Sequence, residues 1–361
     1  MPPTNYRNLR VVPRLIFGRG SVSQLGQLLT SQRTDAGSPV VFLIDDVHEE
    51  KPWVRQLPVH ANDLIIFVSV RTEPKTQYVD ELAERVRGFS NRRPDAIVGI
   101  GGGSTMDLAK AVAVMLTNPG SAADYQGWDL VKYPAIYKVG VPTLAGTGAE
   151  VSRTAVLTGP VRKLGINSDY TPFDQIVLDP DLLESAPADQ RFYTAMDCYI
   201  HGAEALHGTF INEFARAHAE KSMDLCREVF LGDLPRREAD EKLMIASYFG
   251  GLSIAYSQVG VCHALSYGLS FVLGTRHGIG NCIVFNHLDD YYPAEVAEFR
   301  RMMERHQISL PEGLTRGLDD AGFETMIRVA LSLDPLWENA LGPRWREHMT
   351  PERIRALYER M

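Results

Sequence analysis

Cysteine is scarce in this chain of 361 residues. Four cysteines occur, and none of them forms a C-x-x-C pair. A chain of this length buries a large core, and few thiols in a large core are typical of a protein from a reducing compartment. We therefore expect free, buried cysteines and no disulfide framework.

Basic residues are fewer than acidic residues in this chain. The 37 Lys and Arg residues are outnumbered by 45 Asp and Glu residues, and no Lys/Arg cluster with interleaved aromatic residues is present. A nucleic-acid groove or an anionic membrane surface is therefore not the expected partner. The first residues lack the apolar core of a signal peptide, so we expect a cytoplasmic protein.

One long segment has no charged residue at all. Residues 243–275 are long enough to span a bilayer, so a membrane-spanning helix is one alternative for this segment. Serine, glutamine and histidine are spread through the segment, and Gly250, Gly251, Gly260 and Gly268 interrupt it. This pattern favours buried helices that pack closely through small residues.

The first half of the chain alternates strand-like and helix-like stretches. Residues 40–44, 63–70 and 96–100 are predicted strands, and residues 79–89 are a predicted helix. Such alternation indicates a mostly parallel sheet covered by helices. Residues 139–149 contain Pro and Gly and are predicted to form a hairpin or loop.

Strand signals disappear after residue 187. The stretches predicted to be helical are 188–206, 213–230, 241–273 and 294–306. We therefore predict an α/β domain at residues 1–186 and an all-α domain at residues 187–361.

Residues 96–107 give the first chemical signal. An apolar strand ends in Gly101, Gly102 and Gly103, and Ser104 is placed to cap the following helix. Glycines let the backbone approach an anion, and the free N–H groups and the helix dipole favour a pyrophosphate. The pattern departs from G-x-G-x-x-G and has no Walker lysine, so a glycine turn without a ligand is the alternative.

Three further features are compatible with a dinucleotide. Asp46 ends an early strand, where a carboxylate can hydrogen-bond the adenosine ribose. Residues 142–150 form a second Gly/Thr loop with accessible hydroxyls, and Lys163 lies just downstream of it.

A mixed set of possible metal ligands lies in the second half. Asp197 and His201 are four residues apart in a helical stretch, so they share one face. His263 lies in the uncharged segment, and His277 follows fourteen residues later. Three imidazoles and one carboxylate suit Fe(II), Zn(II), Mn(II) or Co(II), although each histidine alone is compatible with an ordinary core or surface role.

Together these motifs resemble the iron-containing (group III) alcohol dehydrogenase family. The resemblance covers about residues 8–290, and the matching pieces occur in family order at residues 17–21, 101–107, 142–150 and 197–201, then at His263 and His277. It implies an α/β NAD(P)-binding domain, an all-α metal-binding domain of dehydroquinate synthase-like architecture, and catalysis in a cleft. It implies four metal ligands, namely Asp197, His201, His263 and His277. The implied cofactor residues are Asp46, Gly101, Gly102, Gly103, Ser104, Asp107, Thr143, Thr147 and Lys163.

The implied reaction is metal-dependent hydride transfer between NAD(P) and a primary alcohol or its aldehyde. The metal, expected to be Fe(II) or Zn(II), lowers the pKa of the substrate hydroxyl, and the nicotinamide accepts the hydride. We expect NAD rather than NADP, because Asp46 and its neighbour Asp45 repel a ribose 2′-phosphate. We also expect a homodimer.

Three stretches narrow the resemblance, at residues 152–170, 196–201 and 253–268. They are similar to the 3-deoxy-D-manno-octulosonate (Kdo) 8-oxidase type within the family. That type oxidises the C8 hydroxyl of this lipopolysaccharide sugar to an aldehyde, which a PLP-dependent aminotransferase then converts to the 8-amino sugar. The candidate anchors for the substrate carboxylate are Arg276, Arg153 and Arg162.

One residue departs from the wider family. Many members have a second histidine four residues after the ligand His263, and this chain has Tyr267 there. Tyr267 is therefore either a proton carrier or a packing residue. Three other functions stay open. The first is a general iron-type dehydrogenase for small alcohols, the second is a dehydroquinate synthase-like lyase, whose phosphate-binding cluster we do not find, and the third is a non-catalytic NAD- or metal-binding protein.

Overall fold

The computed structural model describes residues 10–361. The described chain divides into two compact units. The first comprises the described residues up to Leu144 together with Ala149–Ser185, and the second comprises Ala145–Gly148 and Ala186–Met361.

The first unit contains a six-stranded parallel sheet in the order β1-β9-β6-β4-β2-β3 and a small three-stranded sheet in the order β5-β8-β7. In the small sheet β5 and β8 are parallel, and β7 and β8 are antiparallel. The strands are β1 Leu15–Phe17, β2 Val40–Asp45, β3 Leu64–Val68, β4 Ala96–Gly101, β5 Gly127–Trp128, β6 Tyr137–Pro142, β7 Thr154–Thr158, β8 Lys163–Asn167 and β9 Gln175–Leu178. The predicted α/β sheet is thereby confirmed.

The central strands are buried on both faces. Strands β2 and β4 consist almost entirely of apolar residues, which is typical of a parallel strand covered by helices on each side. Gly99 has no room for a side chain, because a Cβ atom there would lie 2.6 Å from the Cβ of Ala109. The glycine therefore lets the helix that follows β4 pack closely on the sheet.

The prediction of a hairpin or loop at residues 139–149 was wrong for its first part, which belongs to the interior strand β6. Gly140 and Pro142 suggested a turn. In the structure a Cβ on Gly140 would lie 2.9 Å from the Phe173 ring, so the glycine makes room for that ring. Pro142 is the last residue of the strand, where a missing N–H is tolerated.

Helices cover the sheet of the first unit and build the second. The first unit has α1 Leu25–Thr30, α2 Thr76–Phe89 and α3 Gly103–Met115. The second has α4 Ala188–His207, α5 Glu213–Phe230, α6 Arg236–Tyr256, α7 Val261–Leu273, α8 His277–Phe285, α9 Pro293–Arg305, α10 Asp320–Leu331, α11 Asp334–Leu341, α12 Trp345–His348 and α13 Pro351–Tyr358. The predicted helical half is confirmed.

The stretch predicted to be helical at residues 241–273 contains two helices. Helix α6 ends at Tyr256, and the non-helical backbone of Ser257 and Gly260 separates it from α7. Small residues bring these helices close to their neighbours, as predicted: a Cβ on Gly250 would lie 2.6 Å from the Cβ of Cys198.

Among residues 10–361, no helix combines the length and hydropathy needed to cross a bilayer. All four cysteines are free and buried, as predicted.

Candidate active site

Three helices of the second unit bring the four predicted metal ligands together. Asp197 and His201 lie one turn apart on α4, His263 lies in the first turn of α7, and His277 begins α8. The ligand atoms of Asp197, His263 and His277 all lie within 4.8 Å of one another. The His201 Nε2 atom lies 3.6 Å from Asp197 Oδ1, and its ring stacks on that of His263 with centroids 4.9 Å apart.

Burial and charge favour an ionised carboxylate beside a neutral imidazole. Burial would raise the pKa of Asp197, but His277 and His201 outweigh it and hold this pKa well below its usual range. Burial lowers the pKa of His201 to about 3. Metal ligands must be deprotonated, and both residues are so at neutral pH. Burial lowers the pKa of His263, but Glu204 and Asp197 outweigh it and raise this pKa to about 9, so a metal would have to displace a proton there.

Buried polar atoms that lack a hydrogen bond indicate that a cation fits this group. Within the described part of the chain, Asp197 Oδ2 and His201 Nδ1 are buried and have no hydrogen-bond partner. A buried carboxylate oxygen without a partner is costly, and a divalent cation compensates it. Nitrogen and oxygen donors in this combination suit a borderline divalent metal, so the residues fit such an ion.

Asn281 is a member of this group that the sequence reasoning missed. Its Nδ2 atom donates a hydrogen bond to Asp197 Oδ1 at 2.7 Å and lies 3.1 Å from His263 Nε2 and 3.3 Å from His277 Nε2. The amide places partial positive charge against three of the ligand atoms. Helical spacing was the available signal, because Asn281 follows His277 by four residues.

Glu204 is the second residue that was missed. Its Oε2 atom lies 2.5 Å from His263 Nδ1, and both side chains are almost completely buried. Glu204 follows His201 by three residues on α4, so its position on the ligand face was also readable from helical spacing.

Tyr267 lies beside the same histidines. It is buried, and its ring centroid lies 6.3 Å from that of His263 and 6.1 Å from that of His277. The departure from the family pattern therefore places a phenol next to two of the proposed ligands.

In the first unit, the glycine turn joins β4 to α3. Helix α3 begins at Gly103 with Gly102 as its N-cap, and no side chain caps it. The prediction that Ser104 caps this helix was therefore wrong, because Ser104 already lies in its first turn. A Cβ on Gly101 would lie 2.5 Å from Thr105 Oγ1, so the turn requires a glycine there. An uncapped helix N-terminus after a glycine turn can receive an anion.

Asp45, rather than the predicted Asp46, lies closest to this turn. A Cβ on Gly101 would be 3.0 Å from the Cβ of Asp45, and Asp45 is buried. Its carboxylate accepts a hydrogen bond from the Val47 N–H. Asp46 is only half-buried and begins the short 3-10 turn that follows β2.

Thr143 lies directly after β6, and its N–H donates to the carbonyl oxygen of Gly101 at 2.9 Å. Its hydroxyl lies 2.9 Å from His48 Nε2. Burial, with a smaller effect of Lys51, lowers the pKa of His48 to about 4, so this imidazole is neutral at physiological pH. Sequence reasoning missed His48, because only the sheet order brings it near Thr143.

Three of the predicted binding residues make contacts within the protein. Asp107 pairs with Lys110 at 3.0 Å and accepts a hydrogen bond from the Val156 N–H. Lys163 is buried and pairs with Glu73 at 2.8 Å. Arg153 pairs with both Asp129 and Asp169.

The remaining predicted residues have these positions. Thr147 lies in the segment Ala145–Gly148, which belongs to the second unit. The adjacent Gly146 has φ +148°, and a Cβ there would overlap the Thr194 carbonyl oxygen. Arg276 is exposed and precedes His277 as the N-cap residue of α8, and Arg162 is half-buried in the turn between β7 and β8.

Comparison with known sequences identifies the class of protein to which this fold and this carboxylate–imidazole group belong. Residues 13–180 match the family "iron-containing alcohol dehydrogenase", and residues 191–312 match "Fe-containing alcohol dehydrogenase family, C-terminal". The NAD-dependent methanol dehydrogenase of Bacillus methanolicus is 30% identical over 296 residues, which are 78% of this chain and 74% of that protein. The chain therefore belongs to the iron-containing alcohol dehydrogenase family and is an oxidoreductase.

A further relative and two solved structures are also similar to this chain. The sulfoacetaldehyde reductase of Bilophila wadsworthia is 25% identical over 74% of this chain and 70% of that protein. Among solved structures, a 1,3-propanediol oxidoreductase has a TM-score of 0.82 at 22% identity and covers 98% of this chain and 99% of its own. A sulfoacetaldehyde reductase from Bifidobacterium kashiwanohense in complex with NAD+ has a TM-score of 0.80 at 20% identity over 98% of both chains. These two structures show the same fold.

Proposed function

We propose that this chain is a metal-dependent, NAD-linked dehydrogenase that interconverts a primary alcohol and its aldehyde. The observation that carries the proposal is the group of Asp197, His263 and His277, of which the first two are buried and the third is half-buried, and whose ligand atoms lie within 4.8 Å of one another. With His201 they offer one carboxylate and three imidazoles to a divalent metal, for which Fe(II) and Zn(II) are the first candidates. Such a metal, when bound, acts as a Lewis acid that lowers the pKa of the substrate hydroxyl.

NAD is the proposed hydride acceptor. The support from the structure is the uncapped glycine turn at the start of α3, with Asp45 beside it. The support from the comparisons is that one relative is named NAD-dependent and one structure of the same fold holds NAD+. The nicotinamide, when bound, takes the hydride that leaves the alcohol carbon. In this role Asp45 would bind the adenosine ribose hydroxyls, as Asp46 was predicted to do.

The chain's own side chains orient the reactants and handle the proton. Asn281 holds the Asp197 carboxylate by a hydrogen bond of 2.7 Å. We propose that the Tyr267 hydroxyl carries the proton of the reacting alcohol, because the Tyr267 ring lies beside those of His263 and His277. Tyr267 and His263 are buried, and this burial strengthens the electrostatic interactions of the group.

For the substrate we propose a small primary alcohol first, in line with relatives named for methanol, 1-propanol and sulfoacetaldehyde. The similarity of three stretches to the Kdo 8-oxidase type makes Kdo the second substrate to test. Oxidation of Kdo at C8 would give an aldehyde that an aminotransferase can consume. Of the three candidate anchors, Arg153 already pairs with two carboxylates, whereas Arg276 is exposed beside His277.

The proposal is tested by absorbance of reduced nicotinamide. Protein loaded with Fe(II), Zn(II) or Co(II) is incubated with NAD and with a panel of short primary alcohols and Kdo. Net reduction of NAD supports a dehydrogenase, whereas turnover without net reduction would indicate a dehydroquinate synthase-like lyase. If Kdo is the substrate, Arg276→Met will reduce turnover of Kdo far more than turnover of ethanol, because only the acid sugar needs a guanidinium.

A further inference from the structure

Glu204 is a buried carboxylate that contacts the proposed metal ligand His263. It lies on α4 one turn beyond His201, with its side chain almost completely buried. Its Oε2 atom lies 2.5 Å from Nδ1 of His263, and its Oε1 atom accepts hydrogen bonds from the N–H groups of Cys262 at 2.7 Å and His263 at 3.3 Å. One carboxylate therefore holds both the side chain and the backbone of a proposed metal ligand.

The backbone contacts replace an ordinary helix cap. Helix α7 begins after Gly260 and has no side-chain cap from its own N-cap residue. The first N–H groups of a helix have no partner within the helix, and burial makes that costly. Glu204 supplies the acceptor from another helix, and its negative charge also interacts favourably with the helix dipole. A Cβ on Gly260 would lie 3.4 Å from Glu204 Oε1, so the glycine leaves room for the carboxylate.

The side-chain contact determines the tautomer of His263. A carboxylate accepts hydrogen bonds and does not donate, so its contact with Nδ1 requires a proton on Nδ1. In the neutral imidazole Nε2 then carries the lone pair, and Nε2 is the atom that lies 3.4 Å from Asp197 Oδ1 on the ligand side. Metal-bound histidines in proteins are usually oriented by such a partner, and its loss typically weakens metal affinity.

We propose that Glu204 is the positioning residue of the metal centre: it orients His263 toward the metal, fixes its metal-binding tautomer, and caps the helix that carries it. This inference rests on the proposed function. Glu204 has two roles, as the acceptor for the first N–H groups of α7 and as the partner of His263 Nδ1. The substitution Glu204→Gln separates these two roles. Glutamine keeps an acceptor for the N–H groups of α7, but its amide NH2 group faces Nδ1 and requires the proton of His263 to move to Nε2, where it blocks the metal.

The experiment measures Co(II) affinity by chelator competition and records the visible spectrum of the Co(II) protein. For Glu204→Gln we expect binding weakened by about 10–100-fold and an altered spectrum, with the unfolding temperature of the metal-free protein close to wild type. Glu204→Ala should lose affinity and also unfold at a lower temperature. The matched control is Glu295→Gln, because Glu295 also contacts a histidine, with Oε1 2.9 Å from His207 Nε2, but lies outside the ligand group. This control should bind Co(II) like wild type.

Two results would overturn the inference, and they differ in what they say about the proposed function. Wild-type Co(II) affinity and spectrum in Glu204→Gln would overturn the role of Glu204 alone. Failure of the wild-type protein to bind Co(II), Zn(II) or Fe(II) would overturn the proposed function and this inference with it.

Discussion

At the scale of single residues, the site depends on which polar atoms face each other across packed helices. Asp197 is the common partner, since its two oxygens lie 3.2–3.6 Å from nitrogens of His201, His263 and His277. Tyr267 is a neighbouring group with an exchangeable proton. Its role can be separated from metal binding, because it is not a proposed ligand.

We predict that Tyr267→Phe keeps the bound metal and the fold but lowers kcat for alcohol oxidation by at least about 100-fold, the usual contribution of a proton-transfer group. The phenylalanine ring preserves the packing against the two histidines and removes only the hydroxyl. Steady-state kinetics and metal analysis on the same preparation check this. Wild-type kcat in the variant would show that Tyr267 only packs.

We expect Asp45 to determine the preference for NAD over NADP. We predict that Asp45→Ser raises the efficiency with NADP relative to NAD by more than about tenfold, because it removes a carboxylate that repels the 2′-phosphate. Serine can still accept a hydrogen bond from the Val47 N–H. Asp46→Ser is the matched control, and the ratio of kcat/KM for the two cofactors is the readout. A larger change in the Asp46 variant would restore the original assignment of Asp46.

At the scale of secondary-structure elements, glycines set how closely the helices approach. Gly250 lies within α6, where a Cβ would meet Cys198 Cβ at 2.6 Å and its carbonyl oxygen at 3.1 Å. Cys198 follows Asp197, so the contact between α6 and α4 also supports the ligand helix. Gly88, near the end of α2, is exposed, and a Cβ added there would have no other atom within 4 Å.

We predict that Gly250→Ala destabilises the protein by about 1–3 kcal/mol, because the added methyl group pushes two packed helices apart. Gly88→Ala should instead stabilise it by about 0.5–1 kcal/mol through better helix propensity. Urea unfolding of both variants beside wild type measures the difference. Equal effects of the two substitutions would contradict the close packing of α6 on α4.

The edge of the large sheet depends on a buried ion pair. Asp63 accepts two hydrogen bonds from Arg33 and one each from the N–H groups of Val40 and His60. Burial would raise the pKa of Asp63, but these four hydrogen bonds lower it below its ordinary value. A lowered folded-state pKa stabilises the fold above the unfolded-state pKa, and this contribution is lost as pH falls through the folded-state value.

We predict that Asp63→Asn costs about 3 kcal/mol or more at neutral pH, because it leaves the Arg33 guanidinium buried without its counterion. The difference between variant and wild type should shrink as the pH falls below about 4, where the unfolded carboxyl group of the wild type protonates. Urea midpoints across this pH range give the measurement. A difference that does not change with pH would contradict the lowered pKa.

At the scale of the whole molecule, local patterns in the sequence predicted the fold class and most of the proposed site. Apolar runs located three strands of the large sheet, and the spacing of Asp197 and His201 located one face of a helix. The sequence did not show that the start of α7 is capped by a carboxylate from another helix, which accepts from the N–H groups of Cys262 and His263.

Long-range contacts explain why His48 and the pairing of Glu204 with His263 were missed. His48 and Thr143 are 95 residues apart, and Glu204 and His263 are 59 residues apart. No periodicity connects such pairs, and only the order of the strands and the packing of the helices bring them together. In the same way, the ion pairs of Lys163 and Arg153 became visible only in the folded chain.

The most direct test of the central claim is NAD reduction by one preparation measured before and after metal loading, with His263→Ala beside wild type. We predict that the wild type reduces NAD with a primary alcohol only when about one equivalent of divalent metal is bound. His263→Ala should lose both metal and activity and keep its circular dichroism spectrum, since three remaining ligands hold a cation poorly. Full activity in metal-free wild type, or a full equivalent of tightly bound metal in His263→Ala, would contradict the account.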